Sequence, residues 1–136
     1  MERILALDIG YVRIGVAISD PLGIFAQGVC VLKNKPGWHD EVATLVAEKG
    51  VTTLLIGLPK RTDGKTGEAE EHMKQQAEIF KTLLPSVNVI LYDERFTTVI
   101  AEQTMLEADT SRAGRKQKID QVAATVLLQS YLDSKK

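Results

Sequence analysis

The chain has 136 residues, a formal net charge of −1 and one cysteine. This length allows one substantial hydrophobic core and is too short for two, so we expect a single domain over residues 1–136. A chain so close to neutral has no overall field that draws it to nucleic acid or to an anionic membrane. A polyanion would therefore have to bind to local clusters of charge.

The single cysteine, Cys30, excludes an intramolecular disulfide and lies in the apolar run Val29-Cys30-Val31-Leu32, which is typical of a core position. The first residues have no signal-peptide pattern, and no apolar run approaches the ~20 residues of a membrane span. We therefore expect a reduced, cytoplasmic protein with no membrane partner.

The first part of the chain predicts three strands connected as a meander. These strands are short, rich in Val, Ile and Leu, and separated by Gly, Pro or Asp: Ile4 to Ile9, Ile14 to Ser19 and Ala26 to Leu32.

Helices and strands then alternate. In chain order they are a helix from about Trp38 to Lys49, a strand from Thr52 to Leu58, an exposed loop from Lys60 to Gly67, a helix from Glu68 to Leu84, a strand from Val87 to Tyr92, a helix starting near Thr97 or Thr98, and a polar segment from Asp109 to Lys118 before the last helix. The order β-β-β-α-β-α-β-α-α predicts an α/β fold. We expect a mixed five-stranded sheet, a three-strand meander plus two parallel strands, flanked by helices. This is the outline of a ribonuclease H-like fold, which is one candidate among several α/β arrangements.

Asp8 closes the first strand, and Gly10 and Gly15 follow it. A carboxylate at the mouth of a buried strand loses hydration, so it is usually paired with a cation, hydrogen-bonded to backbone amides or bound to a metal. The spacing of the glycines lacks the Lys-Ser/Thr ending of a Walker loop. We interpret this segment as a hairpin close to a metal or a phosphate.

Asp120 falls inside the apolar arc of the last helix when successive residues are placed ~100° apart, between Leu127 and Tyr131. The opposite side of this helix is polar: Gln121, Thr125 and Gln129. One interpretation is that Asp120 points at the sheet and meets other carboxylates there. The other is that it lies in the first turn and caps backbone amides or favours the helix dipole.

Glu94 is the natural partner of these acids, because it follows the last strand where the chain turns toward a helix. Asp93 is its rival, since a boundary error of one residue exchanges the two faces of a strand. Arg95 leaves a local ion pair as another interpretation. Converging carboxylates repel one another unless a cation lies among them, and all-oxygen ligation suits Mg²⁺ or Mn²⁺ rather than zinc. Two such ions ~4 Å apart could activate a water for phosphodiester hydrolysis, so the pattern indicates nuclease chemistry.

Basic residues gather in two loops beside these elements: Lys60, Arg61 and Lys65 in one, and Arg112, Arg115, Lys116 and Lys118 in the other. Such clusters would position a phosphate backbone without reading its bases, although ordinary solvated loops have the same composition. His39 and His72 have no Cys or His at zinc spacing, so we expect both to be solvated.

Four motifs in this order resemble one known family over nearly the whole chain. They are Asp8-x-Gly10-x-x-Arg13-x-Gly15, Gly57-Leu58-Pro59 with Gly64, Asp93-Glu94-Arg95-x-Thr97-Thr98 with Ala101, and Lys118-x-Asp120-x-x-Ala123-Ala124 with Tyr131-Leu132. Together they are similar to the YqgF family, also called RuvX, of bacterial ribonuclease H-like proteins. Its members are described as Holliday junction resolvases and as nucleases for the 16S ribosomal RNA precursor.

The resemblance implies that Asp8, Glu94 and Asp120 are the metal-binding catalytic acids, with Arg13, Arg95 and the two basic loops near the nucleic acid. It implies a nuclease dependent on Mg²⁺ or Mn²⁺ that acts on structured RNA or branched DNA. Such an enzyme would process the 5′ end of pre-16S rRNA, resolve Holliday junctions, or do both. It would leave 5′-phosphate and 3′-hydroxyl ends.

An alternative is a non-catalytic module of the same fold that binds RNA or a ribosome-assembly partner. The oligomeric state is open between a monomer and a homodimer. Symmetric cleavage of a junction would require a twofold dimer, whereas an RNA-processing nuclease could act as a monomer.

Overall fold

The computed structural model describes residues 3–58, 67–93 and 115–135, with side chains described over 3–58, 70–93 and 122–135. The strands in these ranges are β1 (Ile4–Ile9), β2 (Arg13–Ser19), β3 (Ala26–Lys33), β4 (Thr53–Leu58) and β5 (Asn88–Asp93). The helices are α1 (Trp38–Lys49), α2 (Gly67–Leu83) and α3 (Arg115–Ser134). The helix predicted to start near Thr97 or Thr98 lies outside the described residues.

The strands form one sheet in the order β3-β2-β1-β4-β5. β2 is antiparallel to both of its neighbours, whereas β1, β4 and β5 run parallel to one another. The predicted mixed sheet, with a meander and two parallel strands, is confirmed. Because parallel strands end at the same edge of a sheet, the carboxyl ends of β1, β4 and β5 lie along one edge.

One face of the sheet packs against α1 and α2. Its core consists of large apolar side chains, among them Leu5 and Leu7 of β1, Ile56 of β4, Val42 of α1 and Phe80 of α2. These side chains alternate with those of the other face, as expected for strands that are covered on both sides.

The opposite face packs against α3, which lies over β1, β2 and β3. Its core contains small side chains, Ala6, Ala17 and Ala124, together with larger ones such as Leu127 and Tyr131. Small residues on both surfaces let a helix approach a sheet closely. None of the helices in the described ranges is both long and apolar enough to cross a lipid bilayer.

The start of the last helix differs from the prediction. The sequence was interpreted as polar and non-helical up to Lys118, but α3 is helical from Arg115. Arg, Lys and Gln are polar and also favour helices, so polarity alone does not mark the boundary. The other boundaries in the described ranges differ from the predictions by at most one residue, and those of β1 and α1 are as predicted.

Candidate active site

Asp8 lies on the α3 face of the sheet, half-buried near the end of β1. Side chains of β1 alternate, with Leu5 and Leu7 on the α1/α2 face and Ile4 and Ala6 on the α3 face, so Asp8 continues the second row. Its partner on β2 is Gly15, which has no side chain to occupy the space beside the carboxylate. Asp8 is therefore a charged residue in an otherwise apolar row of this face.

Arg13 opens β2 on the same face. Val16 and Ile18 belong to the α1/α2 core and Ala17 to the α3 core, so the alternation places Arg13 in the row of Ala17. The register pairs Asp8 with Gly15, which makes Arg13 the diagonal neighbour of Asp8. A cation and an acid therefore share one edge of the α3 face.

The turn between β1 and β2 is closed by short hydrogen bonds. The Gly10 N–H donates to the Arg13 carbonyl at 2.9 Å, and the Asn34 side chain donates to the Gly10 carbonyl at 2.7 Å. A Cβ at position 10 would lie only 2.8 Å from the Arg13 oxygen, so this close approach requires glycine. The turn thus has a fixed conformation next to Asp8.

Asp93, the rival of Glu94 in the sequence, lies on the other face of the sheet. Along β5, Val89 and Leu91 pack into the α1/α2 core, and Ile90 and Tyr92 pack into the α3 core. Asp93 follows the row of Val89 and Leu91, on the side opposite Asp8. This placement argues against Asp93 as a partner of Asp8.

The strand register brings the ends of β1 and β5 level. Leu7 pairs with Ile56 of β4, and Ile56 pairs with Leu91 of β5. One further residue along each strand brings Asp8 level with Tyr92, with only β4 between them. Two strand spacings correspond to about 10 Å.

Asp120 lies in the second turn of α3, and the first turn contains no acidic residue. The capping interpretation of Asp120 is therefore wrong. The residues of α3 that pack on the sheet recur with helical spacing: Ala124, Leu127, Leu128 and Tyr131. Position 120 precedes Ala124 by four residues and so continues this stripe toward the start of the helix.

The side chain of Gln129 fixes where α3 lies along the sheet. It accepts a hydrogen bond from the Ala26 N–H at 2.9 Å and donates to the Ile24 carbonyl at 2.9 Å. The sequence was interpreted to place Gln129 on the polar side of the helix, away from the core. It is instead half-buried, because the β2–β3 loop reaches over to it.

Position 120 lies about as far from Gln129 along α3 as Asp8 lies along the sheet from Ala26, the residue that Gln129 contacts. Ala26 pairs with Ser19, four residues along β2 from Gly15, the partner of Asp8, which corresponds to about 13 Å. Nine residues of helix separate Gln129 from Asp120, which also corresponds to about 13 Å. The backbone of α3 therefore reaches the level of Asp8 near position 120.

The other predicted site residues are only partly covered by the described ranges. Arg115 and Lys116 open α3, and their side chains lie outside the described residues. Five more lie outside altogether: Lys60, Arg61, Glu94, Arg95 and Arg112. Among the side chains that the structure describes, no three His, Cys, Asp or Glu groups lie together as a metal site.

The two histidines have different environments. His72 is exposed, as predicted. His39 is not solvated but half-buried, because its ring stacks on Trp38 with a centroid distance of 4.0 Å and shares a 2.6 Å hydrogen bond with Gln76. Its role is therefore packing between α1 and α2.

Cys30 packs against the α1/α2 core, as predicted. Burial raises the pKa of the Cys30 thiol, the nearby Glu41 charge raises it further, and Lys49 opposes this weakly. A raised pKa keeps the sulfur protonated, so Cys30 is a poor nucleophile.

A second carboxylate at a strand end, Asp20, is explained by its own loop. It accepts hydrogen bonds from the Ile24 N–H at 2.7 Å and the Phe25 N–H at 3.1 Å. Desolvation raises the pKa of Asp20, but these backbone donors outweigh it and hold the pKa below its usual range. Asp20 therefore stabilises the β2–β3 loop.

A family model described as "RuvX: Holliday junction resolvase" matches residues 2–134. The chain belongs to the RuvX family. A protein of Clostridium botulinum (strain Hall) is 45% identical over 134 residues, covering 97% of both chains, and carries the name "Putative pre-16S rRNA nuclease". A protein of Listeria monocytogenes with the same name is 45% identical over 136 residues, covering 97% of this chain and 98% of its own. As a RuvX protein the chain is a nuclease of the hydrolase class.

Solved structures show the same fold at low sequence identity. RuvC of Thermus thermophilus superposes with a TM-score of 0.61 at 11% identity, covering 98% of this chain and 96% of that one. The Holliday junction resolvase of fowlpox virus superposes with a TM-score of 0.58 at 16% identity, covering 98% and 99%. The predicted ribonuclease H-like fold of this RuvX protein is confirmed.

The sequence interpretation missed Tyr11 and Asn34, which flank the candidate site. Tyr11 lies in the β1–β2 turn and exposes 92% of its surface. The signal was available, since turns usually carry Gly, Pro, Asn, Asp or Ser rather than aromatic residues. Asn34 had no comparable signal, because its contacts with the turn depend on the end of β3.

Proposed function

We propose that the active site of this RuvX nuclease lies on the α3 face at the carboxyl end of β1, with Asp8, Glu94 and Asp120 as its catalytic acids. The observation that carries the proposal is the place of Asp8: half-buried, on an apolar face, opposite a glycine and diagonal to an arginine. A strand acid in such a place needs a compensating partner.

The two other acids are supported by element placement. The choice of Glu94 is supported by the place of Asp93, its neighbour in the chain, on the face opposite Asp8. The choice of Asp120 is supported by its position four residues before Ala124 in the packing stripe of α3 and nine residues before Gln129.

The donor set fits a hard divalent cation, Mg²⁺ or Mn²⁺. Three carboxylates offer only oxygen ligands, and no described histidine or cysteine lies on the α3 face beside Asp8. Asp8, Glu94 and Asp120 would hold the ions, which when bound supply positive charge for the phosphate and a water of lowered pKa.

The basic residues would hold the substrate. Arg13 lies beside Asp8 on the same face, where its guanidinium can bind a phosphate oxygen and keep the neighbouring phosphodiester at the acids. Lys60 and Arg61 follow β4 in the chain, Arg95 follows β5, and Arg112, Arg115 and Lys116 flank the start of α3. They would bind further phosphates without reading bases.

We propose precursor 16S rRNA as the substrate, cleaved at its 5′ end to leave 5′-phosphate and 3′-hydroxyl termini. The names of the 45% identical relatives support this choice. Processing of ribosomal RNA would place the protein in the cytoplasm, and a reduced Cys30 is compatible with that compartment. Four-way DNA junctions are the second candidate, supported by the family description. Symmetric cleavage of a junction would require a homodimer, whereas RNA processing suits a monomer.

The test is a parallel cleavage assay with Mg²⁺ or Mn²⁺ on two substrates, an RNA spanning the 5′ end of 16S rRNA with its leader, and a four-way DNA junction. Asp8→Asn is the active-site variant, and Asp20→Asn, at the opposite end of the sheet, is the matched control. We expect the wild type and Asp20→Asn to cleave the RNA at one position and Asp8→Asn to leave it intact. Unchanged cleavage by Asp8→Asn would remove Asp8 from the mechanism, and cleavage of the junction alone would reverse the substrate choice.

A further inference from the structure

We propose that Tyr11, at the tip of the β1–β2 hairpin, is a nucleobase-binding residue that stacks on an unpaired base next to the reacting phosphate. This inference rests on the proposed function. It adds a contact to the base, whereas the acids and basic residues act on the phosphate backbone.

The tip exposes apolar surface to an unusual degree. Tyr11 exposes 92% and its neighbour Val12 exposes 70% of the residue surface. Neither side chain contributes to the described cores. A flat aromatic ring held in water can stack on any base, because every base presents a π-face.

The tip is also held in one conformation. Besides the bond between Gly10 and Arg13 across the turn, the Asn34 N–H donates to the Val12 carbonyl at 3.0 Å, and the Asn34 side chain donates to the Gly10 carbonyl at 2.7 Å. The end of β3 thus supports the turn on both sides of Tyr11. A preorganised turn loses little entropy on binding, and a tyrosine has only two side-chain torsions to fix.

The position of the tip matches a base near the cleaved bond. Tyr11 follows Asp8 by three residues, so their backbones lie within about 10 Å of each other. Arg13, on the other side of the turn, shares the α3 face with Asp8. A nucleic acid strand whose phosphate binds between Asp8 and Arg13 would therefore bring a neighbouring base to Tyr11.

The β2–β3 loop provides a matched control. Phe25 lies there at the opposite end of the sheet and exposes 65% of its surface, and that loop is also fixed by hydrogen bonds. It differs from Tyr11 in lacking a neighbouring candidate site. General stickiness of exposed aromatics would affect both residues, whereas base stacking at the active site would affect only Tyr11.

The experiment measures binding in an Asp8→Asn background, so that cleavage does not interfere. The probes are fluorescein-labelled versions of the leader-containing 16S RNA and of the four-way DNA junction, and Kd is obtained from anisotropy. Tyr11→Ala, Tyr11→Phe and Phe25→Ala are compared with their parent. A second series of RNA probes carries one abasic nucleotide at each position near the cleavage site.

We expect Tyr11→Ala to weaken binding of the RNA about tenfold, and Tyr11→Phe and Phe25→Ala to stay within about twofold of the parent. For one of the abasic RNA probes, the Kd of the parent should be as high as the Kd of Tyr11→Ala. The slope of log Kd against log salt should not change in Tyr11→Ala, because no phosphate contact is lost. A loss seen with the junction and not with the RNA would assign the stacked base to DNA.

The proposal is overturned if Tyr11→Ala binds both probes like its parent, if Phe25→Ala loses as much affinity, or if neither probe binds the parent. Its failure can be distinguished from failure of the proposed nuclease centre. Tyr11-dependent binding without cleavage by the wild type would retain the stacking site and refute the nuclease centre, whereas cleavage with Tyr11-independent binding would do the reverse.

Discussion

The two faces of the sheet are built from different side chains. The face under α1 and α2 contains large apolar groups, such as Leu7, Ile56 and Phe80, which fill the space between the layers. The face under α3 contains Ala6 and Ala17 and then, toward the edge where β1 ends, the charged residues Asp8 and Arg13.

This difference separates stability from chemistry. Large buried side chains contribute most to the free energy of folding, because the apolar area removed from water is largest there. Small residues bring a helix close to the sheet and leave space at its edge for polar groups. We therefore expect substitutions on the α1/α2 face to alter stability, and those at the edge of the α3 face to alter activity.

The largest expected effect comes from comparing substitutions of two neighbouring acids, Glu94, which we propose as a metal ligand, and Asp93 on the α1/α2 face. Glu94→Gln should lower the initial rate of RNA cleavage about a thousandfold, because a lost metal ligand removes several kcal/mol of transition-state stabilisation. Asp93→Asn, one residue earlier and on the α1/α2 face, should stay within about threefold of the wild type. An equal loss of rate in Asp93→Asn would contradict the assignment of Asp93 to the face opposite Asp8.

Phe80 tests the stability side of the comparison. Phe80→Ala should lower the free energy of unfolding by about 3–5 kcal/mol, because the ring is fully buried and its removal leaves a cavity. Urea unfolding followed by circular dichroism measures this change. Ile79→Ala, at a partly exposed position of the same helix, is the control and should cost far less. Equal losses at the two positions would contradict the packing of α2.

Gln129 tests how α3 is attached to the sheet. Gln129→Ala should lower the free energy of unfolding by about 1–3 kcal/mol, because it leaves the Ala26 N–H and the Ile24 carbonyl without this partner. Gln75→Ala, at an exposed position of α2, provides the comparison and should be nearly neutral. A neutral Gln129→Ala would show that packing alone holds the helix in register.

Asp20 gives the smallest effect, and it depends on pH. Its pKa is lowered in the folded state, so its ionised form contributes stability above the unfolded-state pKa, and this contribution is lost as the pH falls through the folded pKa below 3.8. The free energy of unfolding of the wild type should therefore exceed that of Asp20→Asn at pH 6, with a difference that shrinks toward pH 3. A difference that is constant between these pH values would exclude the titration of Asp20 as its source.

Most of the sheet could be predicted from the sequence, because short runs of Val, Ile and Leu between glycines, prolines and acids mark strands. The face on which Asp93 lies could not be predicted from the sequence. Side chains alternate between the two faces, so an error of one residue in the strand boundary assigns Asp93 to the opposite face. That assignment required the register of β4 and β5.

The candidate site was predictable where a residue violated its local pattern. Asp8 ends an apolar strand, and Asp120 interrupts an apolar helical arc. Gln129 and His39 were misinterpreted because their contacts come from elements distant in sequence, the β2–β3 loop for Gln129 and α2 for His39. A helical wheel contains no information about such partners.

The most direct test of the central claim is binding of Mn²⁺, measured by the loss of the free-ion electron paramagnetic resonance signal. We expect the wild type and Asp93→Asn to bind Mn²⁺ with equal affinity, and Asp8→Asn to bind it at least about tenfold more weakly. Wild-type affinity in Asp8→Asn, or a loss in Asp93→Asn instead, would contradict a metal site at Asp8 on the α3 face.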